Sequence, residues 1–374
     1  MTIPSPLQDT LEHYQTEVSF QSDDGDRTGA ATGESSSQVL SEFLPWGENG
    51  CFVLATTGIV ELEYAALQKS CGVFDATCRG TILLTGEDRL ECINRLTTQQ
   101  LASMKIGESL PTFITSRKGS IIADVLVHVL EDAVWIDVDV TVQQQVIDHI
   151  LAYVVMEDIT VSDITASTHW LWCFGETANE MQVEGAQVCT LPVELFGMPG
   201  KAIATAPEHT HAVWDSLIAQ GARPVGWHAL NMSRIERSAP IFMVDFDTSN
   251  LPHETNMIAS RVRFDKGCYL GQEIVARMES LGAPKRKLMK LQMKSDELPI
   301  AGSQIWESKE VTGTPIGVIT SSAISPMAGG VPAVIAMLAK AFAGLGKTVY
   351  TYVGSELIEA EVIQLQYEQK SETT

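Results

Sequence analysis

Between residues 60 and 165 the spacing of apolar positions alternates between helical and extended periods. In ELEYAALQKSCGVFD (61–75), Leu62, Ala65, Ala66, Leu67 and Val73 fall at near-helical intervals. GTILLTG (80–86) reads as a strand. GEDRLECINRLTTQQL (86–101) opens with acidic residues suited to a helix N-terminus and keeps Leu90, Ile93 and Leu96 on one side. The stretch 109–140 predicts three strands joined by tight turns at Arg117-Lys118-Gly119 and Glu131-Asp132. Within it, Val134, Ile136, Val138 and Val140 alternate with Trp135, Asp137 and Asp139, the period of a half-buried strand. TVQQQVIDHILAYVV (141–155) is amphipathic at helical period, and DITVSDI (158–164) is a further strand. Strands joined as hairpins and interleaved with helices predict a largely antiparallel α+β fold.

The second half repeats the mixture. HWLWCFG (169–175) reads as a strand, 207–221 as a helix ending at Gly221, and 226–240 as a helix halted near Pro240. RKLMKLQM (286–293), GTPIGVITSSAIS (313–325), KTVYTYV (347–353) and LIEAEVIQL (357–365) are strand-like, with Gly and Pro between them, predicting a small β-barrel or sandwich over 286–369. A short helix is expected within 5–15, whereas 21–37 has no bulky apolar residue and reads as a disordered insert. The resulting layout is an N-terminal extension (1–57), a central region (58–285) of two α+β parts meeting near 165, and the C-terminal barrel.

Composition narrows the function. Hydrophobic residues make up 45% and charged residues 19%, an ordinary globular balance, and the net charge is −22. Such a surface is unsuited to general nucleic-acid binding, which needs a basic footprint. No apolar run reaches the roughly 20 residues that cross a bilayer. The start has neither signal-peptide nor transit-peptide character, so a cytoplasmic protein without membrane partners is expected. The seven cysteines lack any Cys-x-x-Cys pair, so no permanently bound metal is expected. No Gly-rich phosphate loop follows a strand, which excludes Rossmann and P-loop readings.

Four places carry candidate chemistry. Cys268 sits in KGCYLGQE (266–273), where Lys266 would favour a thiolate, Gly267 and Gly271 permit close backbone approach, and Gln272 and Glu273 add polar groups. On residue types alone, Cys268 is equally a small apolar filler beside a turn. Asp124 interrupts an apolar strand, where a carboxylate must be solvated, paired or functional. Arg234 lies on a predicted helix and is suited to gripping a carboxylate. Glu254 follows a Pro turn in NLPHETNM.

KGCYLGQE resembles the signature of the YgfZ family, relatives of the glycine-cleavage T-protein. Supporting segments occur in that family's order: GVFDATCRGTILLTGEDRLECINRLTTQQL, RKGSIIADVLV, GWHALNMSRIERSAPIF, LPHETNM and IGVITSSAISP. The likeness runs from about 58 to 369. It implies a T-protein-like fold around a central opening that binds tetrahydrofolate, and a role in assembling or maintaining iron–sulfur clusters of client enzymes, among them enzymes that modify tRNA. It implies that Cys268, with Lys266 and Glu273, forms the functional centre. Asp124, Arg234, Glu254, Gly267, Gly271 and Gln272 are expected to serve folate binding, with Arg234 at the glutamyl tail. Two departures from T-proteins stand out. The first of two adjacent acidic positions is Ala123, and the pterin-gripping glutamate falls at Lys201 in FGMPGKAI. Both weigh against aminomethyl transfer, which is kept as the alternative activity beside a non-catalytic folate-binding scaffold.

Overall fold

In the computed structural model, residues 4–12, 14, 41–47, 50–183, 189–280 and 282–366 are described. The segment 21–37 lies outside them. The chain forms two five-stranded sheets, a closed six-stranded barrel and an N-terminal hairpin, with short helices between them.

The first sheet has the spatial order Ser109–Thr115, Ile121–Val129, Val134–Asp139, Arg79–Thr85, Thr160–Asp163, antiparallel throughout. Helices Arg89–Leu96 and Gln143–Leu151 bury Ile93, Leu96, Val146 and Ile150 in the same core as Ile82, Leu84, Ile136 and Val138. The amphipathic spacing and the alternation in Val134–Asp139 therefore predict the inward face correctly. Opposite-facing residues of that strand, Asp137 and Asp139, are also buried, because the second sheet covers them. A half-buried strand is thus corrected to one covered on both faces.

The second sheet runs Cys189–Leu195, Met198–Thr205, His169–Phe174, Gly72–Asp75, Arg223–Pro224. Its strand Gly72–Asp75 comes from early in the chain and pairs antiparallel with His169–Phe174 and parallel with Arg223–Pro224. The two central parts therefore interlock across residue 165 rather than meeting there. The hairpin Cys189–Leu195/Met198–Thr205 has no counterpart in the sequence reading.

The hairpin Glu42–Trp46/Cys51–Thr56 belongs to the folded body, with Val53 and Leu54 fully buried. The helix Gln8–Glu12 also docks, inserting Leu7 and Leu11 into the core beneath the second sheet. Ser5 donates to Asp75 Oδ2 at 2.6 Å, and Asp75 Oδ1 holds His169 Nε2 at 2.6 Å. The end of the expected extension is thus structural.

The barrel closes as Arg286–Met293, Val331–Ala339, Gly317–Ser325, Gln304–Trp306, Thr348–Val353, Glu356–Ile363. Its buried residues include Leu291, Ile305, Val334, Val349 and Val362. Strand Val331–Ala339 is buried at every position but its ends, so it shows no alternation and escapes a search for period two. Helix Trp227–Glu236 packs against the barrel strand Gly317–Ser325 on one side and helix Val60–Lys69 on the other. Among the described residues no helix is long and apolar enough to cross a membrane.

Candidate functional site

A narrow cleft lies between the two sheets, a cavity of about 70 Å³ that opens to solvent. Three neighbouring strands of the first sheet supply its polar floor. Asp139 stands opposite Arg79 in the ladder and Leu126 opposite Asp137, while Asp124 lies two residues before Leu126 on the same face. The facing wall is aromatic and apolar: Phe74 and Trp172 from the second sheet, Phe196 from its hairpin turn, Trp227 and Leu230 from the adjoining helix, and Trp46 from the N-terminal hairpin. Phe196 (φ 57) and Gly197 (φ 69) both occupy the left-handed region, as a two-residue type I′ hairpin turn demands. A phenylalanine there is strained, and the strain presents its ring to the cleft, 5.6 Å from that of Trp172.

The floor charges are interlocked. Arg79 Nε donates to Asp137 Oδ1 at 2.5 Å and its guanidinium lies 5.5 Å from the Trp172 ring. Arg261 Nε donates to Asp124 Oδ1 at 2.7 Å. Asp139 accepts from Trp46 Nε1 at 2.9 Å and from the backbone and hydroxyl of Thr141. Burial pushes the Asp137 carboxyl up to about 6 against the opposing pull of Arg79. Two buried polar atoms of lining residues have no hydrogen-bond partner among the described residues: Asp137 Oδ2, an acceptor, and Trp172 Nε1, a donor.

The cysteine loop lies elsewhere. Cys268 is the one exposed cysteine of the seven; four are buried and two half-buried. It borders a surface groove with Cys92, Arg95, Leu96, Tyr153, Glu157, Tyr269 and Leu270. The loop is braced from both ends. Lys266 Nζ donates to the carbonyls of Asn94 (2.8 Å), Thr97 (2.8 Å) and Gln99 (2.5 Å), capping the end of helix Arg89–Leu96. Gly271 (φ 84) packs on the Ser116–Gly119 turn, where an added Cβ would stand 2.4 Å from Ser116 O. Thr115 Oγ1 also donates to Leu270 O at 2.6 Å.

Residues 39–183 match the GCVT N-terminal domain, and residues 286–367 match the glycine cleavage T-protein C-terminal barrel domain. Together the two spans make up more than half of the chain. The chain belongs to the GcvT-like superfamily. A curated relative named aminomethyltransferase, from Halothermothrix orenii, is 25% identical over 77% of this chain and 84% of its own length. Another of that name, from Alkaliphilus oremlandii, is 22% identical over 83% of this chain and 89% of its own. The crystal structure of the glycine cleavage system aminomethyltransferase T from Bartonella henselae superposes with a TM-score of 0.78, at 18% identity, over 88% of this chain and 94% of that one. The GcvT-like fold is therefore shared over most of the chain.

On this GcvT-like frame the sequence-predicted residues separate. Asp124 alone lines the cleft. Arg234 is fully buried, with Nη1 bonded to Asp245 Oδ2 at 2.6 Å and Nη2 to Ser321 Oγ at 2.5 Å. It joins its helix to the barrel, which corrects its expected role at a ligand tail. Glu254 is likewise a brace, accepting from Asn250 Nδ2 at 2.7 Å and pairing with Arg286 at 3.4 Å. Lys266 is an anchor, its ammonium held by the backbone carbonyls of Asn94, Thr97 and Gln99. Gly267, Gly271 and Gln272 shape the loop and do not line the cleft, and Glu273 is exposed at the first turn of helix Gln272–Ser280. Lys201 donates to Met181 O at 2.6 Å and is also outside the cleft lining. Missed from the sequence are Arg79, Arg261, Asp137, Asp139 and Trp172. The signal available was the pair of carboxylates alternating with valines in 134–140. Among the described residues no group of three or more His, Cys, Asp or Glu is arranged to hold a metal ion.

Proposed function

We propose that the protein binds tetrahydrofolate in the central cleft and serves the assembly or maintenance of iron–sulfur clusters in client enzymes, with Cys268 as its point of contact. The observation that carries this reading is the exposure of Cys268 alone among the cysteines, on a loop braced through Lys266 and Gly271. A thiol held in the open by a rigid support is suited to meeting a macromolecular partner, whereas a packing cysteine would be buried. The cleft fits a folate by the chemistry of its walls. Aromatic faces accept a flat heterocycle, and carboxylates on the floor accept its N–H groups. Asp124 is held in place by Arg261 and offers its carboxylate to the bound ligand. Bound tetrahydrofolate would supply nitrogens that carry or accept a one-carbon unit.

Calorimetric titration of tetrahydrofolate into the wild type, Asp124→Ala and Cys268→Ala proteins tests the first half. Binding to wild type and Cys268→Ala, weakened in Asp124→Ala, is expected. Cells lacking the gene should lose activity of cluster-dependent enzymes, and Cys268→Ala should fail to restore it. Full rescue by Cys268→Ala removes the thiol from the mechanism.

A second reading, aminomethyl transfer in glycine cleavage, is favoured by the names of the relatives at 21–25% identity. Ala123 and Lys201 argue against it, since neither offers a carboxylate. Formation of methylenetetrahydrofolate from an aminomethyl-lipoyl carrier by the purified protein would reverse the ranking.

A further inference from the structure

The groove beside the cysteine loop has a volume of about 350 Å³, within the roughly 300–1,000 Å³ of small-molecule sites. Its walls come from three stretches far apart in sequence: helix Arg89–Leu96, the loop after helix Gln143–Leu151, and Cys268 to Leu270. Leu270 N donates to Arg95 O at 3.0 Å, which fixes the thiol loop against the helix end. The groove offers one reachable nucleophile, since Cys268 is exposed whereas Cys92 is 1% exposed. It also holds a fixed pair of charges. Arg95 Nη2 donates to Glu157 Oε1 at 2.5 Å, and Glu157 Oε2 accepts the backbone N–H groups of Val155 (2.8 Å) and Met156 (3.0 Å). A guanidinium carries five N–H donors, so Arg95 keeps others for a ligand. The Tyr153 hydroxyl is engaged, accepting from Arg117 Nε at 2.9 Å. The Tyr269 hydroxyl is not: the residue lines the groove and its oxygen is buried, with no partner among the described residues. A buried hydroxyl left without a partner is costly enough to be rare in native interiors. Burial pushes this phenol up to about 12, so it is a neutral donor.

We propose that this groove binds a low-molecular-weight peptide thiol, and that Cys268 joins it as a mixed disulfide. The side-by-side charges of Arg95 and Glu157 match the two ends of an α-amino acid, its carboxylate meeting the guanidinium and its ammonium the carboxylate. A ligand of one sign meets one of the two unfavourably. A peptide carbonyl of the ligand accepts from the Tyr269 hydroxyl, and Leu96, Leu270 and the Tyr153 ring cover its carbon chain. The covalent step is thiol–disulfide exchange with the ligand's own disulfide. The Cys268 thiolate attacks one sulfur of that disulfide, a new S–S bond forms and the old one breaks. The departing half leaves as a thiolate and takes up the proton that Cys268 released. Cys268 is oxidised and the departing sulfur reduced, so no other oxidant is needed. The inference stands on the groove and is independent of folate in the cleft. Its consequence for the proposed client contact is competition, because an occupied groove withholds the thiol from a partner.

The test uses the reduced full-length protein and two disulfide probes, glutathione disulfide and the uncharged bis(2-hydroxyethyl) disulfide. Intact-mass kinetics and peptide mapping read the adduct, with thermal unfolding as a control for folding. Each rate is divided by that of the same probe with N-acetylcysteine, which removes intrinsic differences between the disulfides. Glutathione disulfide is expected to modify Cys268 ahead of the other cysteines, and roughly 10-fold faster than the uncharged probe after that correction. Tyr269→Phe should slow the glutathione reaction roughly 5-fold and Arg95→Gln roughly 10-fold, with the uncharged probe unaffected in both. S-methylglutathione, which cannot exchange, should slow the reaction of glutathione disulfide by competition. If Arg95→Gln fails to fold, Tyr269→Phe and the competition decide. Equal corrected rates for the two probes, equal slowing of both probes in the variants, or preferential modification of another cysteine overturns the proposal. Each of those results leaves the folate reading standing, since neither probe reports on the cleft.

Discussion

Replacing Lys266 by methionine separates an anchoring role for this residue from a thiolate-activating one. The side chain is 7% exposed and its ammonium donates to three backbone carbonyls. Each such charge-assisted bond contributes roughly 1.5–3 kcal/mol. Opposing them, burial lowers the Lys266 pKa to about 8, a cost to the ammonium on the order of 3 kcal/mol. Methionine fills much the same volume without that cost, but leaves the carbonyls of Asn94, Thr97 and Gln99 without this donor. The balance is a net loss of about 2–6 kcal/mol, or a fall in Tm of about 2–8 °C for a chain of this size. Calorimetry measures it, and hydrogen exchange over 263–271 should rise along with exchange at the end of helix Arg89–Leu96. Two results would refute the reasoning: an unchanged Tm with unchanged exchange, or slower alkylation of Cys268 in a Lys266→Met protein of wild-type stability. The latter would restore Lys266 as the group that activates the thiol.

Gly271→Ala should destabilise by roughly 1–3 kcal/mol and loosen the same loop, since the new Cβ meets Ser116 O at 2.4 Å with φ at 84°; urea unfolding with unchanged midpoint would contradict the close packing. Arg234→Ala leaves the buried Asp245 charge unpaired and should cost about 3–5 kcal/mol, while folate affinity of the folded fraction stays within about two-fold; a selective loss of affinity would return Arg234 to the ligand. Burial, with Arg79 nearby, depresses His128 to about 3. The unfolded chain takes up that proton near pH 6.5, so this contribution is present above that pH and is lost as pH falls toward 3. Between pH 7 and 4.5 the loss is roughly 2–3 kcal/mol, and His128→Gln should flatten it in urea titrations. Asp137 is pushed up to about 6 by burial, with Arg79 opposing and Asp139 and Asp124 reinforcing the rise. A ligand N–H favours its ionised form, so pterin affinity should be full above pH 6 and decline below it, with proton release on binding near pH 6 measurable from buffer-dependent heats.

How far these features were legible in the sequence follows from the range of the forces involved. Period-two alternation in 134–140 and helical spacing in 141–155 are local properties, and they identify the inward face correctly. What covers the opposite face is set by strands as distant as His169–Phe174 and Met198–Thr205, so Asp137 and Asp139 looked like solvent-facing carboxylates. The same distance hid Arg261, whose partner Asp124 lies 137 residues earlier in the chain. Arg234 was misplaced for the converse reason: a helical arginine is usually exposed, but helix Trp227–Glu236 is covered by the barrel on one side and a helix on the other. Strand Val331–Ala339 was overlooked because nearly every position is buried. The octapeptide KGCYLGQE identified Cys268 as special, although the supports beneath it, Asn94 to Gln99 and Ser116 to Gly119, are far from it in sequence.

Those supports also tie the cleft to the thiol. Segment Thr97–Gln99 accepts Lys266 through two of its carbonyls. Its middle residue, Thr98, donates through Oγ1 to Arg261 O at 2.5 Å and accepts Arg263 N at 2.9 Å. Gln99 Nε2 donates to Ser260 O at 3.1 Å. One short segment therefore holds both the backbone of Arg261, whose guanidinium fixes Asp124 at the cleft floor, and the ammonium that braces the Cys268 loop. A ligand that pulls on Asp124 and Arg261 acts on the same hydrogen bonds that set the loop's position. Coupling requires two arrangements of that segment with different ligand affinities. Hydrogen exchange at 97–99 and 266–270, measured with and without tetrahydrofolate, would register it as joint protection. Protection confined to the cleft would make the segment a rigid scaffold, with the thiol loop fixed whatever the cleft contains.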